Sequence, residues 1–379
     1  MGSTKINYAP SSHFPRPDIL SPMDDSISYQ RLARRLDSLP NGFPPAGDGS
    51  DLRLLACLFT PGEAALAAEL LPKMETAAAI AARLGADAGS LRTQLKEMAR
   101  KGLIAAGRGE GGMGYGLMPF IVGIYEMQSG RIDAELAQKF EDYFHAGFRK
   151  ALAVQPPFHR VVPVQESVKT DLAVAPYESA LGILSRASAW AVTDCICRKQ
   201  TALIGRPCPH PVEVCMVLSA TPGAFHDRAG TRELTFDEAR NVLRQAADAG
   251  LVHSVANTQE GQWYICNCCT CSCGILRGMA EGGMASVIAR SGFVCRVDAT
   301  SCDGCGLCAE RCPFGAITVD GAARVEAIRC AGCGVCAVAC PNHALVLSRR
   351  PEAEINQPVR DEREWLEARA DWRNQNPPP

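Results

Sequence analysis

A chain of 379 residues exceeds one small domain, and at roughly 100 to 200 residues per domain it has room for two or three. Its 47% hydrophobic and 21% charged content is that of a globular protein with real cores, and a formal net charge of -2 excludes any global attraction to nucleic acid or an anionic membrane. The opening residues show no basic segment leading into an apolar one, Arg34-Arg35 lacks the apolar run of a twin-arginine signal, and no apolar run approaches the ~18 residues of a membrane span, so a cytoplasmic protein without a membrane span is expected.

Residues 1–25 are rich in Pro and Ser and hold little to bury, which predicts a flexible leader. Residues 26–155 read as a helical domain. SISYQRLARRLDSL places Leu32, Leu36 and Leu39 on one stripe, and Thr60-Pro61-Gly62-Glu63 opens a later helix with a capping box. Thr76 then leads AAAIAARL, Gly85-Ala86-Asp87 turns the chain, SLRTQLKEMARK forms a second helix, and a strand from Gly102 runs into the glycine-rich hairpin GRGEGGMGYG. Over about residues 51–120 this order resembles a winged helix-turn-helix. The resemblance implies DNA binding, with Arg92, Lys96, Arg100 and Lys101 on phosphates and Arg108 in the wing. Residues 51–118 carry eight Lys or Arg against seven Asp or Glu, far from a basic footprint, so DNA contact ranks below protein docking. In residues 131–150, Ile132, Leu136, Phe140, Phe144 and Phe148 form one stripe that predicts core packing.

Residues 156–292 read as a mixed α/β, cysteine-rich domain. Strands are expected at VVPV, at WAVTD, which delivers Cys195, and at LVHSV; helices are expected across YESALGILSRAS and from the Thr235–Glu238 capping box to Gly250. Nine thiols lie among these elements: Cys195, Cys197, Cys208, Cys215, Cys266, Cys268, Cys269, Cys271 and Cys273. In a reducing compartment they argue for metal rather than a disulfide framework, and CNCCTCSC reads as a loop coiled around a metal centre. A third, or even a fourth, iron–sulfur cluster ranks first, structural zinc second and reactive redox thiols third, with the ligand partition open. His210, fixed between two prolines, is either a ligand or a surface residue. Cys57 and Cys295 have no partner at motif spacing and are expected to be ordinary buried thiols.

Residues 293–350 contain one phrase written twice, C-x2-C-x2-C-x3-C-P, at Cys302, Cys305, Cys308 and Cys312 and again at Cys330, Cys333, Cys336 and Cys340. Iron needs soft, deprotonated thiolates, and two-residue gaps let three successive sulfurs turn to one centre while the fourth crosses to the neighbouring cube. The spacing therefore groups Cys302, Cys305, Cys308 and Cys340 on one [4Fe–4S] cluster and Cys330, Cys333, Cys336 and Cys312 on a second. Zinc sites pair C-x2-C knuckles instead of consecutive triplets, so two zinc sites fit poorly. AITV and ALVL are the expected strands after the two ligand runs. The region is similar to the bacterial dicluster ferredoxins, and that resemblance implies one-electron transfer through two adjacent low-potential clusters. Residues 351–379 are polar and predict a surface-wrapped or disordered tail.

From about residue 38 onward, SLPNGFPP, MPFIVGIYE, TDCICRKQ, HPVEVC and ICNCC make the chain resemble a group of bacterial and archaeal iron–sulfur proteins. These place a winged-helix-like segment and a cysteine-rich middle before a dicluster ferredoxin. The expectation is thus an α+β chain acting as an electron carrier or as the electron-transfer subunit of an oxidoreductase, with a partner oxidoreductase as donor or acceptor. The alternative is a redox-sensing transcriptional regulator using the winged helix. There is no compact acid–base constellation, no strand-to-helix dinucleotide-binding glycine motif and no P-loop, so flavin, nicotinamide and nucleotide sites have no support.

Overall fold

The computed structural model describes residues 25–376 apart from 110, 165–166, 169–173, 229 and 285. The leader expected at residues 1–25 lies outside the described residues, except for Asp25, which begins the first helix. Leucines at four-residue spacing make that helix, α1 (Asp25–Asp37), amphipathic, and Leu32, Leu36 and Leu39 are all buried. Next come α2 (Ser50–Leu58) and α3 (Pro61–Glu69). At the start of α3 the Glu63 N–H donates to Thr60 Oγ1 while Glu63 Oε2 accepts from the Thr60 N–H at 2.9 Å, the reciprocal pair expected of a capping box. β1 (Glu75–Thr76) leads into α4 (Ala77–Leu84) and α5 (Ala88–Arg100), whose Leu91, Leu95 and Met98 are buried at helical spacing. β2 (Ala105–Gly109) and β3 (Gly112–Gly116) form a hairpin onto which β1 adds, in the order β1-β3-β2.

α6 (Ala134–Tyr143), a wider π-type turn at 144–148, and α7 (Arg149–Leu152) carry the aromatic stripe. Leu136, Phe140, Phe144 and Phe148 are buried as the spacing predicts, and Phe140 stacks on Tyr125 with ring centroids 3.8 Å apart.

The middle of the chain is a sheet with helices on it. Its elements are β4 (His159–Val161), α8 (Ala180–Ser185), β5 (Ala189–Asp194), α9 (Ile196–Leu203), β6 (Glu213–Ser219), β7 (Arg232–Leu234), α10 (Phe236–Asp248), β8 (Val252–Ala256), β9 (Tyr264–Cys268), α11 (Gly274–Ala280) and β10 (Ile288–Ala289). Among the described residues the strand order is β10-β4-β8-β9-β6-β5-β7, antiparallel except for the β10–β4 pair. The strand expected at VVPV ends earlier, at Val161, because Pro163 has no N–H to give a ladder. Leu184 of α8 and Leu243 of α10 pack with Val192, Met216, Val255 and Ile265 of the sheet.

The C-terminal repeat contains β11 (Phe293–Val297), α12 (Leu307–Arg311), β12 (Ile317–Asp320), β13 (Ala322–Val325), α13 (Val335–Val338) and β14 (Leu345–Arg349). β11 pairs with β14 and β12 with β13, both antiparallel, so each cysteine run sits between a strand of one pair and a strand of the other. Both segments expected to be strands, AITV and ALVL, are strands.

Polar composition predicts a wrapped or disordered tail, yet residues 362–375 form α14 (Glu362–Gln375) with Trp365 and Arg369 buried. A few side chains, Trp365, Arg369 and Arg373, do the docking, too few to register in composition. Arg369 donates to the carbonyls of Pro40, Asn41, Ala151, Val154 and Pro156. A continuous apolar cluster includes Leu36, Phe144, Cys273, Cys308, Leu347 and Trp365, so the N-terminal helices, the middle sheet and the C-terminal repeat share one core. The architecture is mixed helix and sheet, of the α+β kind. Among the described residues no helix is long and apolar enough to cross a membrane.

Candidate metal centres

In the C-terminal repeat, Cys302, Cys305, Cys308 and Cys340 line one cavity, so the fourth cysteine of the second run stands with the first triplet. Cys333 senses the charges of Cys336, Cys312 and Cys330, the complementary set. Backbone amides are already directed at the sulfurs: Ala323 N–H donates to Cys302 Sγ at 3.4 Å, Ala344 N–H to Cys340 at 3.3 Å, Ala316 N–H to Cys312 at 3.3 Å and Cys295 N–H to Cys330 at 3.5 Å. Donors so placed stabilise thiolate over thiol.

Two glycines let the runs wrap this tightly. Gly304 (φ +72°) and Gly332 (φ +70°) adopt left-handed backbone, and a Cβ would run into the Gly321 carbonyl at the first and into the Phe293 carbonyl and Ser291 hydroxyl at the second. Burial, and then the neighbouring thiolates, push the Cys333 thiol well up, so without a metal it stays protonated. A polycationic iron core is what makes such a set ionise, and the donor chemistry fits a [4Fe–4S] cluster.

The two sets differ in exposure. Cys305 is exposed and Cys302 half-buried, whereas Cys330, Cys333 and Cys336 are buried. Cys295 is a buried thiol, as expected, but it lies 3.6 Å from Cys336 Sγ, a contact that no spacing in the sequence signals. Cys57, expected buried, is half-buried in α2.

Six of the central thiols come from four elements. Cys195 caps α9 and Cys197 lies in its first turn; Cys215 sits on β6 opposite Thr193; β9 carries Cys266 and Cys268; Cys273 caps α11. The loop expected across CNCCTCSC therefore begins as strand, over its first three residues. Side chains alternate with period two, so Cys266 and Cys268 share one face and belong together. Cys195 interacts electrostatically with Cys197 and Cys215, Cys197 with Cys273, Cys273 with Cys268, Cys268 with Cys266, and Cys266 with Cys215. Six thiols thus close a ring. Cys208, Cys269 and Cys271 group with His210, and Cys208 and Cys269 pack against Cys195 and Cys215 of the ring.

Two residues that motif reading missed organise the ring. Arg198 is 2% exposed; its Nη2 donates to the Asn267 carbonyl at 2.8 Å, while Nε and Nη1 have no hydrogen-bond partner among the described residues. Burial opposes its charge, but the thiolates of Cys195, Cys269, Cys268 and Cys215 more than offset this and hold its pKa above the ordinary value. A buried cation with idle donors calls for an anionic neighbour, and a thiolate-bound metal centre is one.

Glu141 of α6 is the second. It accepts from Arg277 of α11 at 2.7 and 2.9 Å, from Gln200 of α9 at 3.1 Å and from Arg206, and it meets His145 at 3.0 Å. Burial alone would raise its carboxyl, but the Arg277 hydrogen bonds and charge win, bringing it down to about 2. Glu141 therefore ties together the two helices whose first turns carry Cys195, Cys197 and Cys273. A lone Glu in an amphipathic helix gives no hint of partners 59 and 136 residues away.

Residues 296–318 match the family described as the 4Fe-4S binding domain, a stretch that includes the whole first cysteine run. Comparison with curated proteins and with solved structures finds no match. The match and the cysteine geometry support an iron–sulfur protein with an electron-transfer role.

Proposed function

We propose that this chain carries single electrons through two [4Fe–4S] clusters in the C-terminal repeat and a further iron–sulfur centre in the six-thiol ring, to or from a partner oxidoreductase. The observation that carries the reading is the cavity lined by Cys302, Cys305, Cys308 and Cys340, the four residues that the spacing groups on one cube. The second ligand set is then Cys330, Cys333, Cys336 and Cys312. Bound clusters supply reversible one-electron storage. The chain supplies the amides that neutralise sulfur charge, the burial that keeps water from the second set, and a rim at Cys305 where a partner approaches. Cys308 senses the charge of Cys336, so the two sets adjoin.

The order α3-β1-α4-α5-β2-β3 supports a winged-helix reading of residues 61–116. Two of its basic residues are engaged: Arg100 pairs with Glu97 at 2.6 Å and Lys101 with Glu63 at 2.8 Å. We therefore read this face as a protein-docking surface rather than a phosphate-binding one, which ranks the carrier above the redox-sensing regulator.

Iron and sulfide quantitation with EPR on the anaerobically purified full chain tests the proposal. More than about eight iron atoms per chain are expected, since two cubes account for eight. Cys305→Ser removes one reducible signal, Cys333→Ser the other, and Cys266→Ser lowers iron without abolishing either. Fewer than about four iron atoms in the wild type, or no reducible signal, overturns it.

A further inference from the structure

We infer that Cys208, His210, Cys269 and Cys271 form a separate mononuclear metal site of the zinc type, set beside the six-thiol ring. Their ligand atoms all lie within 4.8 Å of one another. Cys208 Sγ is 3.0 Å from His210 Nδ1, 3.0 Å from Cys271 Sγ and 3.6 Å from Cys269 Sγ, and Cys271 Sγ is 3.8 Å from His210 Nδ1.

These separations decide the nuclearity. Two thiolates bound tetrahedrally at a zinc–sulfur distance of about 2.3 Å stand roughly 3.8 Å apart; the Cys208–Cys269 pair at 3.6 Å matches this, and the Cys208–Cys271 pair at 3.0 Å is closer still. A cube binds each thiolate to a different iron, which spreads its four ligands well beyond such contact. Three sulfurs and one imidazole nitrogen are also a standard structural zinc set. A Cys208–Cys271 disulfide would need a sulfur separation of about 2.05 Å and would leave Cys269 and His210 converging on nothing.

Local structure explains how the chain feeds two centres from one run. Cys268 and Cys269 are adjacent at the end of β9, and neighbouring residues of a strand point to opposite sides, so Cys268 joins the ring and Cys269 the mononuclear site. Cys208 and His210 lie between α9 and β6, with Pro209 and Pro211 restricting the backbone on either side of the imidazole. The turn that carries Cys271 is itself anchored, because Ser272 Oγ and Thr201 Oγ1 of α9 share a hydrogen bond of 2.9 Å. A metal held here links two segments 61 residues apart at the edge of the ring. Zinc has no redox chemistry, so the site acts as a staple that holds exposed Cys271 and half-buried Cys208 in place. The inference rests on thiol and imidazole geometry and stands whether or not the chain carries electrons.

The test is elemental analysis and zinc K-edge X-ray absorption on the full chain purified anaerobically with zinc supplied. One zinc per chain is expected, with three sulfurs at about 2.3 Å and one nitrogen at about 2.0 Å. His210→Ala and Cys271→Ser are expected to lower zinc at least tenfold while iron per chain stays unchanged. Wild-type zinc below a tenth of an equivalent, an all-sulfur shell, or iron that falls with zinc in Cys271→Ser would each overturn the inference. If a variant fails to fold, the wild-type shell alone decides. Absent reducible iron signals with zinc intact would sink the electron-transfer reading and leave this one standing.

Discussion

Glu141→Gln removes one charge from the bracket that holds α9 and α11 together while keeping the shape of the side chain. A carboxyl at about 2 in the folded chain, against the ordinary 4.5, contributes about 3 kcal/mol to stability at neutral pH. Because the folded-state value is the lower one, that contribution is complete above 4.5 and is lost as pH falls toward about 2. The variant also leaves fully buried Arg277 with one of its two carboxylate partners, Glu281, which acts in the same direction. At about 2 °C per kcal/mol for a chain of this size, the melting temperature should fall by about 6 °C. The assay is an anaerobic thermal melt of wild type and variant at pH 7 and pH 5, with iron counted before heating. The difference should be the same at both pH values, and the variant should lose the iron of the ring ahead of that of the C-terminal repeat. A drop of less than about 2 °C, or one that vanishes at pH 5, would refute the bracket.

Arg198→Met takes a buried cation from beside the ring, so the central signal should become harder to reduce, its midpoint falling by roughly 60 mV, the one-electron equivalent of 1.4 kcal/mol; an EPR redox titration reads it. Gly304→Ala should cost the first set its cluster, about four iron atoms per chain, and spare the second, while Gly332→Ala does the reverse; iron analysis with EPR separates the two. Burial holds His159 at about 4, below the ordinary 6.5, so the unfolded chain takes up a proton that the folded chain refuses. Stability should fall as pH drops from 6.5 toward 4, by up to about 3 kcal/mol, and melts of His159→Phe should lose that slope.

What could be read from the sequence was whatever is written locally. Both capping boxes, the Leu32–Leu36–Leu39 stripe and the Phe140–Phe144–Phe148 stripe follow from spacings within a turn or two of helix, and the structure buries or pairs them accordingly. The grouping of Cys340 with the first triplet was also legible, because the crossing is encoded in the x3-C-P spacing itself. The division of the nine central thiols was not. It depends on which face of β9 each cysteine takes and on β6, α9 and α11 arriving beside that strand, none of which one segment specifies. Arg198, Glu141 and Arg369 were invisible for the same reason. Each is an ordinary charged residue in a helix, and only tertiary packing takes it out of water.

The repeat is symmetric in sequence and asymmetric in setting, and that difference gives the proposed path a direction. Around the second set, Val164 N–H donates to the Cys333 carbonyl at 2.9 Å, Ser167 Oγ to the Gly334 carbonyl at 2.8 Å, and Arg350 to the Cys330 carbonyl at 2.5 Å. Val164 and Ser167 follow β4 of the middle sheet. A Cβ at Gly334 would strike Ser167, so this ligand loop is fitted to the middle of the chain as closely as to its own repeat. The first set has a local support instead, the Asp303 carboxylate accepting from the Cys305 N–H at 3.1 Å, and it opens to solvent at Cys305. Electron transfer weakens steeply with distance, so an exposed rim serves a partner and a buried neighbour serves the interior. On the proposed path the first set, with its exposed rim, is the terminal for a partner, and the second, buried against the middle of the chain, is the inner relay.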